Sequence, residues 1–395
     1  MNELCDLAKD DLLRRGYSRR QMMRAAMMIG GAAAAAALDP ELAWAQDDRP
    51  RPAKVQIGLN EFWTGPMAPG VAATAAVASR CNRYWPADDN GRMIITQLVK
   101  TISQVENVPE GHISPWPGSN IVLARAVLAY CSPTRGAVQA DPTYGTVGGA
   151  AKFLGVPLKS VPLKADYSHD VKAMLAADPN AGVYYVVNPN NPTGTMTPMA
   201  DIEWLVANKP AGSVVVVDEA YIHFAPDYPN GTANHLAIAG KDVIVARTFS
   251  KIFGMAGMRL GYFMGRPDII EKIKSYDGGN LSQMLPIPSV ACGIASLTAS
   301  DLIAQRRKEL VETRAMTVDF LSKRNVRVIG PSHANMLMVD WKTKTAREML
   351  AAFRAQGVEI AGPRWPVWPN VSRITIGSKD DMKGFFEAFD KVVVT

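Results

Sequence analysis

Lys251 stands in the segment Thr-Phe-Ser-Lys-Ile-Phe-Gly-Met-Ala-Gly-Met-Arg, residues 248–259. A lysine amine attacks a carbonyl only when deprotonated, and burial beside other cations lowers its pKa toward that state. A single lysine is ordinarily a solvated surface group, but this one has company. Thr248 and Ser250 offer hydroxyls, Gly254 and Gly257 permit tight backbone, and Arg259 supplies a bidentate phosphate clamp. Together they suit a ligand that carries both an aldehyde and a phosphate. Two further clusters are rich in polar groups: Asp218-Glu-Ala-Tyr221 and Asn188-Pro-Asn-Asn-Pro-Thr-Gly194. A fourth, Gly118-Ser119-Asn120, precedes a helical stretch from Ile121 to Tyr130, so Ser119 or Asn120 can serve as the N-cap. A helix start built of small residues leaves backbone N–H groups for an anion.

The elements that must position these groups follow from the apolar pattern. β-rich runs at Val183–Val187, Val214–Val217 and Val243–Ala246 recur at a spacing of roughly thirty residues, as βαβ units around a buried, largely parallel sheet require. Each run leads directly into one of the polar clusters. Ligands of open α/β sheets bind beyond the carboxyl ends of the strands, so the clusters should share one site. From about Val326 the chain alternates strands (Val326–Ile329, Met336–Val339, Arg373–Ile376) with helices (Thr345–Gln356, Asp381–Val392), which reads as a smaller α/β domain. A long helix around Pro288–Lys323 is expected to bridge the two. Residues 47–54 are polar and Pro-rich, a flexible lead-in.

Ser250-Lys-x-x-Gly-x-x-Gly-x-Arg259, preceded by Asp218-Glu-Ala-Tyr221 and Asn190-Asn-Pro-Thr-Gly194, resembles the fold type I pyridoxal-phosphate aminotransferases of class I/II. Within them it is most similar to the histidinol-phosphate aminotransferase subgroup, from about Leu59 to the C-terminus. The resemblance implies an aspartate aminotransferase-like fold: a large domain with a mostly parallel, seven-stranded-type sheet flanked by helices, plus a smaller α/β domain. The implied division is 46–82, joining the small domain; 83–287, the large cofactor-binding domain; 288–325, the bridging helix; and 326–395, the small domain.

The resemblance also implies roles. Lys251 would hold pyridoxal 5′-phosphate covalently and, once displaced, carry a proton between substrate and cofactor. Asp218 would pair with the pyridine nitrogen, while Tyr221 and Asn191 would donate to the ring oxygen. Tyr144, in Asp-Pro-Thr-Tyr-Gly, would stack on the ring. Ser119, Asn120, Thr248, Ser250 and Arg259 would form the phosphate cup, the first two through backbone N–H groups. Tyr84 would reach the phosphate from a neighbouring subunit, which requires a homodimer. Arg373 would grip a substrate anion, and Asn60 would line the substrate mouth. Taken alone, each has a plainer reading: helix cap for Asp218, turn residue for Asn191, core tyrosine for Tyr144, surface salt bridge for Arg373. Three departures from the subgroup stand out. Asn120-Ile121 replaces an acidic pair, Phe62-Trp63-Thr64 puts bulky aromatics at the expected entrance, and His223 stands where Glu is usual.

The expected reaction moves an amino group between an amino acid or amine, histidinol-phosphate-like or aromatic, and a 2-oxo acid by a ping-pong scheme. Racemases, lyases and decarboxylases share the same cofactor cup. A non-catalytic protein that binds the cofactor or an amino acid is the reading from another class; it would be expected to lose Lys251 or Asp218, and this chain keeps both.

Composition bounds the remaining possibilities. The 395 residues are 48% hydrophobic and 20% charged with mean hydropathy −0.03, an ordinary globular balance. The net charge of +6 is dispersed, with no run of five or six basic residues, which excludes a nucleic-acid surface. Four cysteines do not make a disulfide framework at this length, and none of the five histidines has metal-ligand spacing, so no metal is expected. The first 45 residues resemble a twin-arginine export signal: Ser18-Arg-Arg-Gln-Met-Met-Arg24, an apolar stretch from Ala25 to Ala37, and Ala43-Trp-Ala45 as a cleavage pattern before Gln46. Thirteen apolar residues fall short of the ~20 that span a bilayer, so no permanent span is expected. This predicts a periplasmic or secreted enzyme, exported folded with its cofactor. Residues 1–45 carry six basic and six acidic side chains, so the mature chain keeps the whole +6. Its remaining cysteines, Cys81, Cys131 and Cys292, are expected to be buried.

Overall fold

The computed structural model describes residues 5–30, 53–84, 86–87, 91, 93–277 and 284–393. Seven strands form the central sheet: β2 (Ile113–Trp116), β3 (Ala137–Asp141), β4 (Leu158–Pro162), β5 (Val183–Val187), β6 (Val214–Asp218), β7 (Val243–Thr248) and β8 (Gly261–Gly265). Their spatial order is β2-β8-β7-β6-β5-β3-β4, and only β8 runs against the others. β5, β6 and β7 are buried at every position, because helices cover both faces. That explains why their sequence signal is a continuous valine-rich run instead of an alternation.

The smaller unit has an antiparallel sheet of β9 (Arg327–Ile329), β10 (Met336–Asp340) and β12 (Val371–Thr375), ordered β12-β10-β9. Beside it β1 (Val55–Ile57) pairs in parallel with β11 (Val358–Ile360), so the chain enters through the small domain before building the large one. The helix Ala346–Ala355 begins with a reciprocal capping box between Thr345 and Glu348.

The bridge is not one long helix. Ile287–Leu297 and Ser300–Ser322 are separate helices bent by 82°. Thr298 turns its hydroxyl back onto the carbonyls of Ile294 and Ala295, and Ala299 leaves helical geometry at ψ 58°. The first of these helices packs against Ala68–Val77, whose Val77 is buried with Ile287 and Ala291.

The N-terminal segment has a defined structure of its own. Residues 5–30 form two helices, Asp6–Arg14 and Arg19–Gly30, seated on the large domain, with Ala8, Leu12, Tyr17, Ala25, Met28 and Ile29 buried in the same core as Trp116 and Val122. The rest of the apolar stretch, the Ala43-Trp44-Ala45 pattern and Gln46 lie outside the described residues. Cys131 and Cys292 are buried and outside any disulfide, but Cys81 is exposed, just after a short helical turn with no buried residue. Among the described residues no single helix is long and apolar enough to cross a membrane.

Candidate active site

The carboxyl ends of β5, β6 and β7 open into one cavity of about 360 Å³, lined by Ser119, Asn120, Tyr144, Asn191, Asp218, Tyr221, Thr248, Ser250, Lys251 and Arg259. Ten of the thirteen residues singled out in the sequence therefore converge. The other three, Asn60, Arg373 and Tyr84, are not part of the lining.

The phosphate end is built from backbone. Gly118, not Ser119 or Asn120, is the N-cap of the helix Ser119–Tyr130, at φ 93° and ψ 156°, a conformation open to glycine alone. A β-carbon added there would lie 2.6 Å from Nη2 of Arg259. A β-carbon on Gly261 would lie 2.7 Å from the Ser119 nitrogen. The missing side chains thus let a guanidinium and the first, unpaired N–H groups of the helix face the same point. Arg259 is held in the left-handed region at φ 51°, with Nη1 donating to the Ala256 carbonyl at 2.9 Å. The Thr248 hydroxyl donates to Ser250 Oγ at 3.0 Å and receives the Ser250 N–H at 3.1 Å, which fixes both hydroxyls on the cup.

At the other end Asp218 is buried. The Tyr185 hydroxyl donates to Oδ2 at 2.8 Å and the Ala220 N–H to Oδ1 at 3.1 Å. Burial pushes the Asp218 carboxyl up to about 6, against the pull of those two bonds and of the Lys251 charge. A carboxylate held this way favours a cation in front of it. Tyr185, which sits inside the apolar β5 run, was not singled out in the sequence; its alternate spacing from Val187 on a fully buried strand carried no signal.

Between these ends Lys251 donates from Nζ to the Asn60 carbonyl at 3.1 Å and lies 5.3 Å from the Tyr221 ring centroid. The Tyr221 oxygen accepts from Asn60 Nδ2 at 3.1 Å and from Asn191 Nδ2 at 3.3 Å. Both amides are oriented by the small domain: Arg373 Nη1 donates to Asn191 Oδ1 at 2.9 Å, and the Thr375 hydroxyl to Asn60 Oδ1 at 3.1 Å. With two donors already on its oxygen, Tyr221 has its own proton left to give. Asn60, at φ 55° and buried between the lining residues Leu59 and Glu61, is thus a junction between Lys251, Tyr221 and the small domain. Arg373 is fully buried, and its Nη2 donates to the Gly58 carbonyl at 3.0 Å.

Tyr144 lines the cavity and donates to Asn120 Oδ1 at 3.1 Å, so the acidic pair's replacement here serves as a tether for the aromatic ring. Tyr84 is 78% exposed. Neither Phe62 nor Trp63 lines the cavity: Phe62 is buried, stacked on the half-buried Trp63 at 4.0 Å, with Arg306 4.8 Å from its ring centroid. His223 is buried between Tyr228 and Phe253, and burial, reinforced by the Arg247 charge, lowers it to about 3, so it is neutral at physiological pH.

Behind the site lies an ion cluster that the sequence did not reveal. Arg247 is fully buried, with Nη1 2.8 Å from Glu106 and Nη2 2.7 Å from Glu219. Glu219 and Arg247 adjoin Asp218 and Thr248 in the chain, so the cluster fixes the β6 and β7 ends against each other. Among the described residues no group of three or more His, Cys, Asp or Glu could hold a metal ion.

The donor set fits pyridoxal phosphate. An anion cup, a buried carboxylate and a lysine between them match its phosphate, ring nitrogen and aldehyde.

Comparison with known proteins agrees. Histidinol-phosphate aminotransferase 1 of Cupriavidus pinatubonensis is 30% identical over 352 residues, 86% of this chain and 88% of the relative. The fold matches histidinol-phosphate aminotransferase from Sinorhizobium meliloti in complex with pyridoxal-5′-phosphate, at TM-score 0.78 and 23% identity over 90% of this chain and 94% of that one. It also matches aspartate aminotransferase from Thermus thermophilus with maleate, at TM-score 0.76 and 17% identity over 96% of this chain and all of that one. The family description "Aminotransferase class I and II" fits residues 57–389, and the chain belongs to that family, the pyridoxal-phosphate-dependent transaminases.

Proposed function

We propose that this transaminase exchanges an amino group between an amino acid or amine and a 2-oxo acid in two half-reactions, with Lys251 as the covalent anchor and proton carrier. The observation that carries the reading is the placement of Lys251 between the Arg259 cup and the buried Asp218. Bound pyridoxal phosphate supplies an electron sink for the carbanion formed at the substrate Cα. Everything else falls to the protein. Arg259, Thr248, Ser250 and the helix start at Ser119 and Asn120 would hold the phosphate. Asp218 would hold the proton on the ring nitrogen, and Tyr185 keeps that carboxylate aligned. Tyr221 would give its free proton to the ring oxygen, and Tyr144 would cover one ring face.

The Lys251 Nζ, as the base in the cavity, would take the proton from the substrate Cα and hold it for return. Arg373 would meet the substrate anion by exchanging its bond to Asn191 for a bidentate one to carboxylate, which suits an arginine fork. The same residue therefore both sets the Asn191 amide and grips substrate.

Histidinol phosphate, the substrate in the relatives' names, is one member of the donor class. Tyr84 would complete the phosphate cup of a second copy in a homodimer. Ser18-Arg-Arg-Gln21 and the following apolar residues support export by the twin-arginine route to the periplasm or beyond.

The reading is tested by mixing the holoenzyme with a panel of amines and following the visible absorbance of lysine-bound cofactor. A loss of the band that a 2-oxo acid reverses is expected. Turnover without such a reversible change would instead mark a racemase, lyase or decarboxylase. For localisation, Arg19→Lys with Arg20→Lys should retain the precursor in the cytoplasm, and undiminished export would overturn that part.

A further inference from the structure

The N-terminal helices hold the far ends of two helices whose near ends form the active site. Ser119–Tyr130 starts at the phosphate cup, and Thr146–Leu154 starts just after Tyr144. The near ends are joined by the Tyr144–Asn120 bond at 3.1 Å. At the far end of the first, Arg15 donates from Nη1 to the Cys131 carbonyl at 2.6 Å and from Nη2 to the Leu128 carbonyl at 2.7 Å, and the Tyr17 hydroxyl adds a bond to Cys131 at 2.9 Å. At the far end of the second, Gln21 donates from Nε2 to the Gly155 carbonyl at 3.1 Å.

The last carbonyls of a helix lack intrahelical partners, and a cation there also opposes the negative end of the helix dipole. Leu128 and Cys131 are fully buried, so water does not easily replace Arg15. Arg15 is itself braced by Asp11 at 2.9 Å and by the Tyr276 hydroxyl at 2.9 Å, with Tyr276 donating on to Asp11 at 2.8 Å. The motif Ser18-Arg-Arg-Gln21 also has a local job. The Gln21 carboxamide oxygen accepts from both the N–H and the hydroxyl of Ser18, and the Gln21 N–H meets Ser18 Oγ at 3.4 Å, so the motif caps its own helix.

We propose that residues 5–30 are a clasp on the cofactor site, in which Arg15 is a positioning residue: by tying the far end of Ser119–Tyr130 it sets where that helix presents its N–H groups to the phosphate. The segment is thereby a working part of the folded precursor as well as its leader. A helix of 12 residues is about 18 Å long and, buried over nearly its whole length, passes an axial shift at one end to the other. Release of the clasp, whether by export or by cleavage after it, loosens the grip on cofactor. The inference rests on the reading of the cavity as a pyridoxal phosphate site.

The test uses the full chain and its Arg15→Met, Arg15→Lys, Tyr17→Phe and Arg14→Met variants. Pyridoxal phosphate is titrated into each apoprotein, its dissociation constant is read from the bound-cofactor absorbance, and apo and holo melting temperatures are taken in parallel. Arg15→Met should raise the dissociation constant roughly tenfold, as loss of a favourable charged contact at a buried helix end converts. Arg15→Lys and Tyr17→Phe should fall between, and Arg14→Met, exposed on the same helix, should match the parent. Should Arg15→Met fail to fold, Tyr17→Phe carries the same expectation at smaller size. Unchanged cofactor affinity in Arg15→Met or Tyr17→Phe, even with a lowered melting temperature, would reduce the segment to packing alone and overturn the clasp. A parent chain that binds no cofactor would refute the cavity assignment instead.

Discussion

Replacing Gly118 by alanine separates two costs that meet at one atom. The first is backbone strain: φ 93° with ψ 156° lies in a region closed to side-chain-bearing residues, at about 1–3 kcal/mol. The second is steric, since the new β-carbon would stand 2.6 Å from Arg259 Nη2 and 3.3 Å from Cζ. The guanidinium must withdraw from the cup. A hydrogen bond to a charged group contributes about 1.5–3 kcal/mol, so cofactor affinity should fall by roughly ten- to hundredfold. Strain lowers the melting temperature, whereas withdrawal of Arg259 lowers affinity, and a double-mutant cycle with Arg259→Ala separates them. In the Arg259→Ala background Gly118→Ala should still lower the melting temperature by several degrees but should hardly alter the dissociation constant of pyridoxal phosphate. An additive loss of affinity in the double variant would show that Gly118 does not act through Arg259 and would refute this account of the cup.

Three other perturbations follow from the geometry. Asp218 has a folded pKa of about 6 against 3.8 unfolded, so the apoprotein binds more protons than the unfolded chain in that window, and this group's burial penalty grows as pH rises from about 4 to 6, reaching ~3 kcal/mol. Apo Asp218→Asn should therefore be more stable than the parent at pH 7 and nearly equal to it at pH 4, as read by thermal melts; an equal difference at both pH values would contradict the assignment. Tyr185→Phe removes a 2.8 Å bond that holds the Asp218 carboxylate down and in line, so kcat should fall about tenfold and the acid limb of its pH profile should move upward. Arg247→Met leaves Glu106 and Glu219 buried without their partner, and urea unfolding should show a loss of about 3–5 kcal/mol.

The sequence made the centre of the sheet legible because β5, β6 and β7 are apolar throughout and each ends in a polar cluster. The strands at the sheet's margin were not: β2 contains a proline and β4 alternates weakly, so neither stands out from loop sequence. Ten cavity residues could be found because cofactor chemistry demands their types in order along the chain. The residues that orient them were hidden for the opposite reason. Tyr185 looks like one more strand residue, Arg247 like a surface charge, and Gly118 like any turn glycine; their roles arise only where distant segments meet. Arg373 and Asn60 were recognised, but their contacts with Asn191 and Tyr221 are between domains and leave no trace in spacing. Basic, apolar and small residues in that order describe an export signal and an amphipathic helix alike, so the packing of residues 5–30 on the large domain leaves no separate trace in the sequence.

Reduction of the holoenzyme with borohydride, which makes a lysine–cofactor linkage permanent, followed by mass mapping of the peptides, addresses the central assignment most directly. The assignment places the pyridoxyl mass on the peptide containing Lys251 and on no other; prior incubation with an amino donor should prevent labelling, and a 2-oxo acid should restore it. Label on another lysine, or label at Lys251 that a panel of amino donors leaves untouched, would contradict it.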